Sequence, residues 1–389
     1  PISLCCCIIF ARNRSIISYM IEIKEVITAK DRRDFVNFQF SLYKGNKYWV
    51  PPMKKDEAKQ LCAKSNPSFE FCDAKFWTAW RNGSCVGRIG AIINKDYNIK
   101  TGNDYGRFSR FEVIDDMEVS EVLFKTAEDW LKHHGMIGIH GPLGFNNLDN
   151  QGLLIDGFDY LPSIASVMHY PYMQKLIENR GFRKENDWVE FLIKIDEVPE
   201  KATRLVEIIK KRNNLEVIHF KEKSEMKYYL KDVFHLLNHA FDELPYVTPF
   251  SDGLIENVSK KYMDVLQPEY ITIIKKEGKM VAFIVGLPNL SKAMQKANGK
   301  LFPFGFRHII KALKNPTVMD LLLTGVDPHY QKLGLPAILI SELQNTMLKK
   351  GIKYVESTGM FESNKKGATT WKNYEHIQHK RRRCFVKEF

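Results

Sequence analysis

The chain has no cysteine pair at Cys-x-x-Cys spacing and no histidines at zinc-finger distance from its seven cysteines: Cys5, Cys6, Cys7, Cys62, Cys72, Cys85 and Cys384. That leaves no metal site to expect, and reduced thiols in a cytoplasmic protein as the reading. A long hydrophobic run is also missing. Leu4 to Phe10 is apolar but far too short to span a bilayer. Arg12 and Arg14 follow it rather than precede it, the wrong order for a secretory signal. No methionine stands before Met20, where Ile21-Glu22-Ile23 begins a strand-like alternation. Residues 1–19 are therefore read as an upstream leader, non-native or disordered, with a palmitoylated cysteine cluster as the alternative. A basic face interleaved with aromatics is absent as well, so nucleic acid is not an expected partner.

What remains is an ordinary globular composition: 389 residues, 44% hydrophobic, 12% aromatic and 27% charged. The length suggests two domains with sizeable cores. The net charge of +12 is unevenly placed. Residues 1–197 hold 26 Lys/Arg against 26 Asp/Glu, and residues 198–389 hold 32 against 20. The second half carries the whole excess, which suits a polyanionic ligand or simply a well-hydrated surface.

Two halves repeat one order of elements. In the first, Ile21 to Val26 reads as a strand and Lys30 to Tyr43 as a helix. Phe76 to Trp80 and Val86 to Asn94 form a hairpin across Asn82-Gly83. Arg107 to Ile114 is a strand, Val119 to His134 a helix capped by Gly135, and Met136 to His140 a strand. Tyr172 to Asn179 is a helix ended by Gly181, and Trp188 to Ile195 a strand. The second half runs Leu215 to Phe220 (strand), Met226 to Phe241 (helix) and a hairpin, Tyr270 to Lys275 and Met280 to Gly286, around Glu277-Gly278. Val318 to Val326 (strand), Pro336 to Lys349 (helix), Tyr354 to Thr358 (strand), Lys366 to Tyr374 (helix) and Arg382 to Val386 (strand) follow. The junction falls near Asp196 to Glu200, at Pro199, giving domains over 20–197 and 198–389. An insertion, 288–316, holds Leu301, Phe302, Pro303, Phe304 and Phe306 followed by Arg307, Lys311 and Lys314. It reads as a small helical lid with its aromatics packed inward; an acyl-chain groove or a membrane-surface contact is the alternative.

The chemistry concentrates between Val318 and Asn364. A strand feeds a turn, Gln331-Lys332-Leu333-Gly334-Leu335-Pro336, into a helix start, an arrangement that offers backbone N–H groups to phosphates. Gly334 leaves room for close approach, and Lys332 adds a cation. Pro336 suits a first helical turn but donates no N–H. This turn, preceded by Val326-Asp327-Pro328, resembles the fingerprint Gln/Arg-x-x-Gly-x-Gly/Ala of the GNAT acyltransferase superfamily. Asn364 with Ala368 resembles its second motif. Most of residues 20–389 resembles a group of bacterial tandem-GNAT proteins, related to acyltransferases implicated in bacterial ceramide synthesis. Gly141-Pro142-Leu143-Gly144-Phe145-Asn146 and residues 152–159 contribute to that likeness.

The resemblance implies an α/β fold of two tandem GNAT-like domains, each a mixed sheet flanked by helices. Acetyl-CoA or a longer acyl-CoA would be cosubstrate, bound by Leu323, Gly325, Val326, Gln331, Lys332, Leu333, Gly334, Leu335 and Asn364. A small-molecule or lipid primary amine would be acceptor. Where the family often has a tyrosine acid this chain has Trp371, with Tyr374 one turn on as a substitute. Glu356 and Glu362 are the candidate bases, each as readily an ordinary strand-end carboxylate. The first half lacks the phosphate turn, reading Asp115-Asp116-Met117-Glu118 instead; three carboxylates there would repel a pyrophosphate. Lys380-Arg381-Arg382-Arg383 reads as a charged sheet edge, or as a contact for the CoA 3′-phosphate or an anionic head group. A long-chain enzyme acting on a sphingoid-type amine, peripheral to the inner membrane, and a non-catalytic CoA- or acyl-binding module are the competing readings.

Overall fold

The structure, a computed structural model, describes residues 20–389 except 199, 365, 366, 368 and 369. The leader and the centre of the Lys366 to Tyr374 helix, with Ala368, lie outside the described residues, as does Pro199 at the junction. The first half contributes strands β1 (Glu22–Glu25), β2 (Cys72–Arg81), β3 (Ser84–Asn94), β4 (Tyr105–Val113), β5 (Gly138–Gly141), β6 (Leu153–Asp156) and β7 (Arg183–Lys194). The second contributes β8 (Leu215–His219), β9 (Ile271–Lys276), β10 (Lys279–Pro288), β11 (Val318–Val326), β12 (Tyr354–Ser357), β13 (Met360–Phe361) and β14 (His376–Glu388).

Both tight hairpins form where a residue able to take positive φ precedes glycine. Asn82 and Gly83 sit at φ 53° and 73°, and Glu277 and Gly278 at 53° and 78°, which matches the right-handed twist of the flanking strands. The helix Met117–His133 starts where Asp116 accepts from the Val119 N–H at 3.1 Å, and it buries Val119, Leu123, Ala127 and Leu131 against the sheet. Arg81 pairs with Asp116 (2.7 Å) and Glu118 (2.9 Å), so these carboxylates are neutralised and the cap itself occupies the helix's first donors. The helix expected over Met226 to Phe241 is broken at Tyr228 and Tyr229, where the Tyr229 ring meets Phe220 at 5.4 Å.

One fourteen-stranded sheet crosses both halves in the order β1-β2-β3-β4-β5-β14-β7-β12-β11-β10-β9-β8, with β6 beside β14 and β13 beside β7. The order is symmetric about its centre, and the last strand of each half has changed places. β7 lies against β12 and sends Val189, Phe191 and Ile193 into the second half's core with Leu335, Ile338, Leu339 and Leu343. β14 lies against β5 and sends Phe385 into the first half's core with Phe108, Phe124 and Phe182.

This exchange overturns the edge reading of Lys380 to Arg383, because β14 is central. The two-residue period of a strand sends Lys380 and Arg382 to one face and Arg381 and Arg383 to the other. Arg381 and Arg383 grip Asp187 of β7 at 2.9 and 2.8 Å. Lys380 and Arg382 are buried and meet Glu190 of β7 at 3.0 and 2.8 Å, and Lys380 also pairs tightly with Glu356 of β12. All four cations are spoken for within the sheet.

The insertion departs from expectation as well. Its helices, Ser291–Ala297 and Gly305–Lys314, bury Ala293 and Ile309 with Leu287 and Leu290, while Phe302 is 76% and Phe304 61% exposed. Aliphatic side chains fill the space beneath, and Phe302 and Phe304 lie on the connector between the helices, pointing outward, while Phe306 is half-buried in the second helix.

Burial alone would raise the Glu190 carboxyl, but Lys380 and Arg382 outweigh it and pull it from 4.5 down to about 2. A depressed acid contributes stability that is complete above its unfolded value and is lost as pH falls towards the folded one. Urea unfolding of the wild type should therefore show stability falling as pH drops from about 4.5 towards about 2. Lys380→Met, which takes the ammonium from Glu356 and leaves Glu190 with Arg382 alone, should cost about 3–5 kcal/mol at neutral pH. A variant within 1 kcal/mol of wild type would contradict this.

Candidate functional site

β11 is paired along its length with β10, but with β12 only from Val318↔Tyr354 to Leu321↔Ser357. Thr358 ends that register, its N–H and hydroxyl reaching the Leu321 and Leu322 carbonyls at 3.4 Å each. Opposite Val285 and Gly286 the register shifts and leaves Leu322 as an extra residue, a bulge. Beyond it the two strands part. The Asp327 N–H turns to Val281 O (2.9 Å), so strand alternation aims the Thr324 and Val326 N–H groups at the open side.

A cavity of about 500 Å³ fills the wedge, within the roughly 300–1,000 Å³ typical of small-molecule sites. Its walls are mainly aliphatic and aromatic, from Leu321 to Leu323, Pro336, Ile340, Phe234 and Trp188. Leu323 and Asn364 border it; Gly325 and Val326 continue the strand beyond. The Asn364 carboxamide accepts from Gly367 N–H at 2.9 Å, holding the turn that follows β13.

The phosphate-type turn sits at the rim. Pro328–Leu333 is a 3₁₀ turn begun by Asp327, whose carboxylate accepts from His329 N–H at 2.9 Å. Gln331 and Lys332 are exposed, and Leu333 and Gly334 half-buried. Gly334 has φ 76°, where a side chain strains the backbone, and a Cβ there would come within 3.3 Å of Ile209. The helix Leu335–Lys349 then starts with no side-chain cap, in contrast to its first-half counterpart. Leu335 is buried and anchors this start in the second half's core.

The three candidate acid–base residues stand elsewhere. Glu356 is buried behind Ser357, tied to Lys380, with His379 Nε2 at 3.4 Å, and does not border the cavity. Glu362 faces outward between Lys184 and Arg381, and Lys184 holds its carboxyl below the usual range. The Tyr374 hydroxyl donates to Gln344 at 2.9 Å, and burial raises it. Each is committed to a structural partner that no local sequence spacing announces. Glu190, Glu356 and His379 have metal-ligating atoms within 4.8 Å of one another, but the Lys380 ammonium already sits among them. His239, Asp327 and His329 form a second such group, exposed beside the turn.

Sequence reasoning missed the polar groups that do line the cavity. Among the described residues its only carboxylates are Glu190 and Asp149 and its only guanidinium is Arg382. Arg382 donates through Nε to Glu190 (2.8 Å) and through Nη1 to Val167 O (2.6 Å). Its Nη2 is buried without a partner among the described residues, as are Trp371 Nε1, Thr324 Oγ1 and Ser166 Oγ. Four such groups around one cavity are what a polar ligand atom would satisfy. The period-2 placement of Arg382 within its basic run was the available signal, readable only once β14 is known to be central.

A second cavity of about 280 Å³ adjoins the first, the two sharing Leu148, Asp149, Ile164, Ser166 and Tyr262. The first half builds it from the buried pair Arg88–Glu112 (2.7 Å), Arg110–Glu57 (2.8 Å) and the Gly141 to Asn146 loop. Buried Arg107 holds that loop through Gly144 O at 3.0 Å, and the Asp149 carboxylate caps it at Phe145 N–H, 2.8 Å. Burial pushes His169 down to about 3, so it is neutral, and its Nδ1 accepts from Leu154 N–H at 3.1 Å.

No known family profile matches the chain. It is 28% identical to Protein YghO of Escherichia coli (strain K12), over 92% of this chain and 93% of that one. It is 27% identical to the bacterial ceramide synthase of Caulobacter vibrioides (strain NA1000 / CB15N), covering 90% and 94%. Among solved structures, a tandem GNAT protein from the clavulanic acid biosynthesis pathway superposes with a TM-score of 0.54 at 12% identity, over 94% of this chain and 98% of that one. The fold is thus the tandem GNAT fold, and it spans nearly the whole described chain.

Thr324→Val removes a buried hydroxyl that has no protein partner among the described residues. Stability by urea unfolding should stay level or rise by up to about 1 kcal/mol. A loss of 2 kcal/mol or more would show that the hydroxyl is satisfied within the protein.

Proposed function

We propose that the protein transfers an acyl group from an acyl-CoA thioester to a primary amine at the β11–β12 wedge. The observation that carries this is the parting of those strands beside an uncapped helix start. Backbone donors face a mostly apolar cavity, and a second set faces its rim. In this reading the diphosphate lies on the N–H groups around Lys332 to Leu335, and the pantetheine runs along Leu323 to Val326. Thr324 and Val326 N–H groups then hold the thioester oxygen as it gains charge. The amine nitrogen attacks the carbonyl carbon, the C–S bond breaks, and the thiolate leaves to be protonated.

The amine must first lose a proton. Glu190, held ionised by two cations, is a poor acceptor; of the cavity's carboxylates among the described residues that leaves Asp149 as the proposed base, through the oxygen other than the Oδ2 that caps Phe145 N–H. The first half would thus supply the acceptor's side of the reaction and the second half the donor's. The adjoining apolar and polar cavities suit an amphiphilic amine. The likeness to a bacterial ceramide synthase supports a sphingoid-type lipid amine as one such acceptor.

A second reading has a specific observation in its favour. With Glu356, Glu362 and Tyr374 all engaged away from the cavity, the protein could hold CoA or an acyl chain without turning it over. Incubation with acyl-CoA and an amine panel, following free thiol, separates the two: turnover supports the enzyme, binding alone the module, and neither sinks both. Gly334→Glu should weaken acyl-CoA binding at least about a hundredfold through crowding and like charge. Unchanged affinity would mean that the phosphate turn is misassigned. Asp149→Asn should keep acyl-CoA affinity and lower kcat/KM for the amine about a hundredfold or more, with the loss relieved at high pH.

A further inference from the structure

The insertion holds six cations, Lys292, Lys296, Lys300, Arg307, Lys311 and Lys314, and no Asp or Glu anywhere from 288 to 316. All six are exposed, and none forms an ion pair among the described residues. The same segment gathers four exposed large apolar side chains: Leu301, Phe302, Phe304 and Ile310. Elsewhere among the described residues such side chains stand singly, as Ile27, Ile99 and Tyr228 do, or as a pair, Leu205 and Ile208.

The tip is preformed. Phe302 packs on Phe306 (5.7 Å) and the Arg307 guanidinium lies over Phe304 (5.4 Å). Its base is fastened to the first half by Gln295, which donates to Lys47 O and Trp49 O at 2.9 Å each, and by Lys54 N–H to Gly299 O at 3.1 Å. The base also reaches the site: Leu290 and Met294 line the second cavity, and Leu322, which borders the first, packs in the same cluster.

We infer that this tip docks on an anionic lipid bilayer. Phe302, Phe304, Leu301 and Ile310 enter the head-group and acyl boundary, and the cations face the lipid phosphates. Aromatic rings favour that boundary, and a cluster of cations is attracted to an anionic leaflet. Neither signal suffices alone, and the insertion carries both. A protein partner fits less well, because lysine is depleted from protein interfaces and five of these six cations are lysines. No helix of the described residues is long and apolar enough to cross a membrane, so the contact is made at the surface. It would bring the two cavities beside a bilayer. The inference does not depend on the acyl-transfer reading.

Co-sedimentation of the full chain with vesicles tests it without acyl-CoA. Binding should be strong to phosphatidylcholine vesicles containing phosphatidylglycerol, weak to phosphatidylcholine alone, and should fall with added salt. The double variants Phe302→Ser with Phe304→Ser, and Lys311→Glu with Lys314→Glu, should each reduce partitioning at least about tenfold. Both alter exposed side chains, so urea unfolding should match wild type and exclude misfolding as the cause. No sedimentation with the anionic vesicles, or variants that bind as wild type does, would overturn the inference; capture of an acidic protein in place of vesicles would do the same.

Discussion

The architecture depends on the pairing of β14 with β7, the strands that each half has exchanged. Glu190, Lys380, Arg382 and Glu356 form a buried, alternating-sign ladder across β7, β14 and β12. Taking four charges out of water costs far more than any one pair regains, so the ladder holds only when all members are in register. Such a device selects one pairing strongly, since a slip of one residue would turn Lys380 and Arg382 to the opposite face. Burial and the neighbouring Glu356 raise the Asp320 carboxyl well above its ordinary value, and Asn289 Nδ2 donates to it at 2.7 Å.

The ladder also sets the site. It occupies the place where β7 and β14 run beneath the β11–β12 wedge, and Glu190 and Arg382 are at once its members and the cavity's polar floor. The residues expected to do acid–base work, above all Glu356, are therefore structural in this fold. The opening depends on the mismatch between a central sheet that must stay paired and a β11 that is released after Leu321 by its bulge at Leu322. Neither cavity belongs to one half: residues of both line each of them.

Much of the local structure was legible. Val318 to Val326 is a mainly apolar strand, interrupted by Asp320 and Thr324, and its bounds in the structure are those read from the residues. Asn82-Gly83 and Glu277-Gly278 announce their hairpins because few dipeptides tolerate two successive positive φ values. Gly334 marks the turn because its φ of 76° strains any residue with a side chain. The insertion was legible as helices and as an aromatic, basic segment, but not in its orientation. That depended on Leu290, Ala293 and Ile309 filling the space beneath, which left the connector's phenylalanines outside.

The sequence by itself determined the elements, their repeated order, the phosphate-type turn and the surplus of positive charge in the second half. These follow from interactions within a few residues: turn dihedrals, caps and hydrophobic period. Tertiary structure alone decided which strands are neighbours and therefore which charges meet. Lys380 and Glu190 are 190 residues apart, and nothing in the spacing of either predicts the other. The long-range pairing of β14 turned an apparent edge into the centre of the sheet, removed Glu356, Glu362 and Tyr374 from the cavity, and brought Arg382 and Asp149 to it.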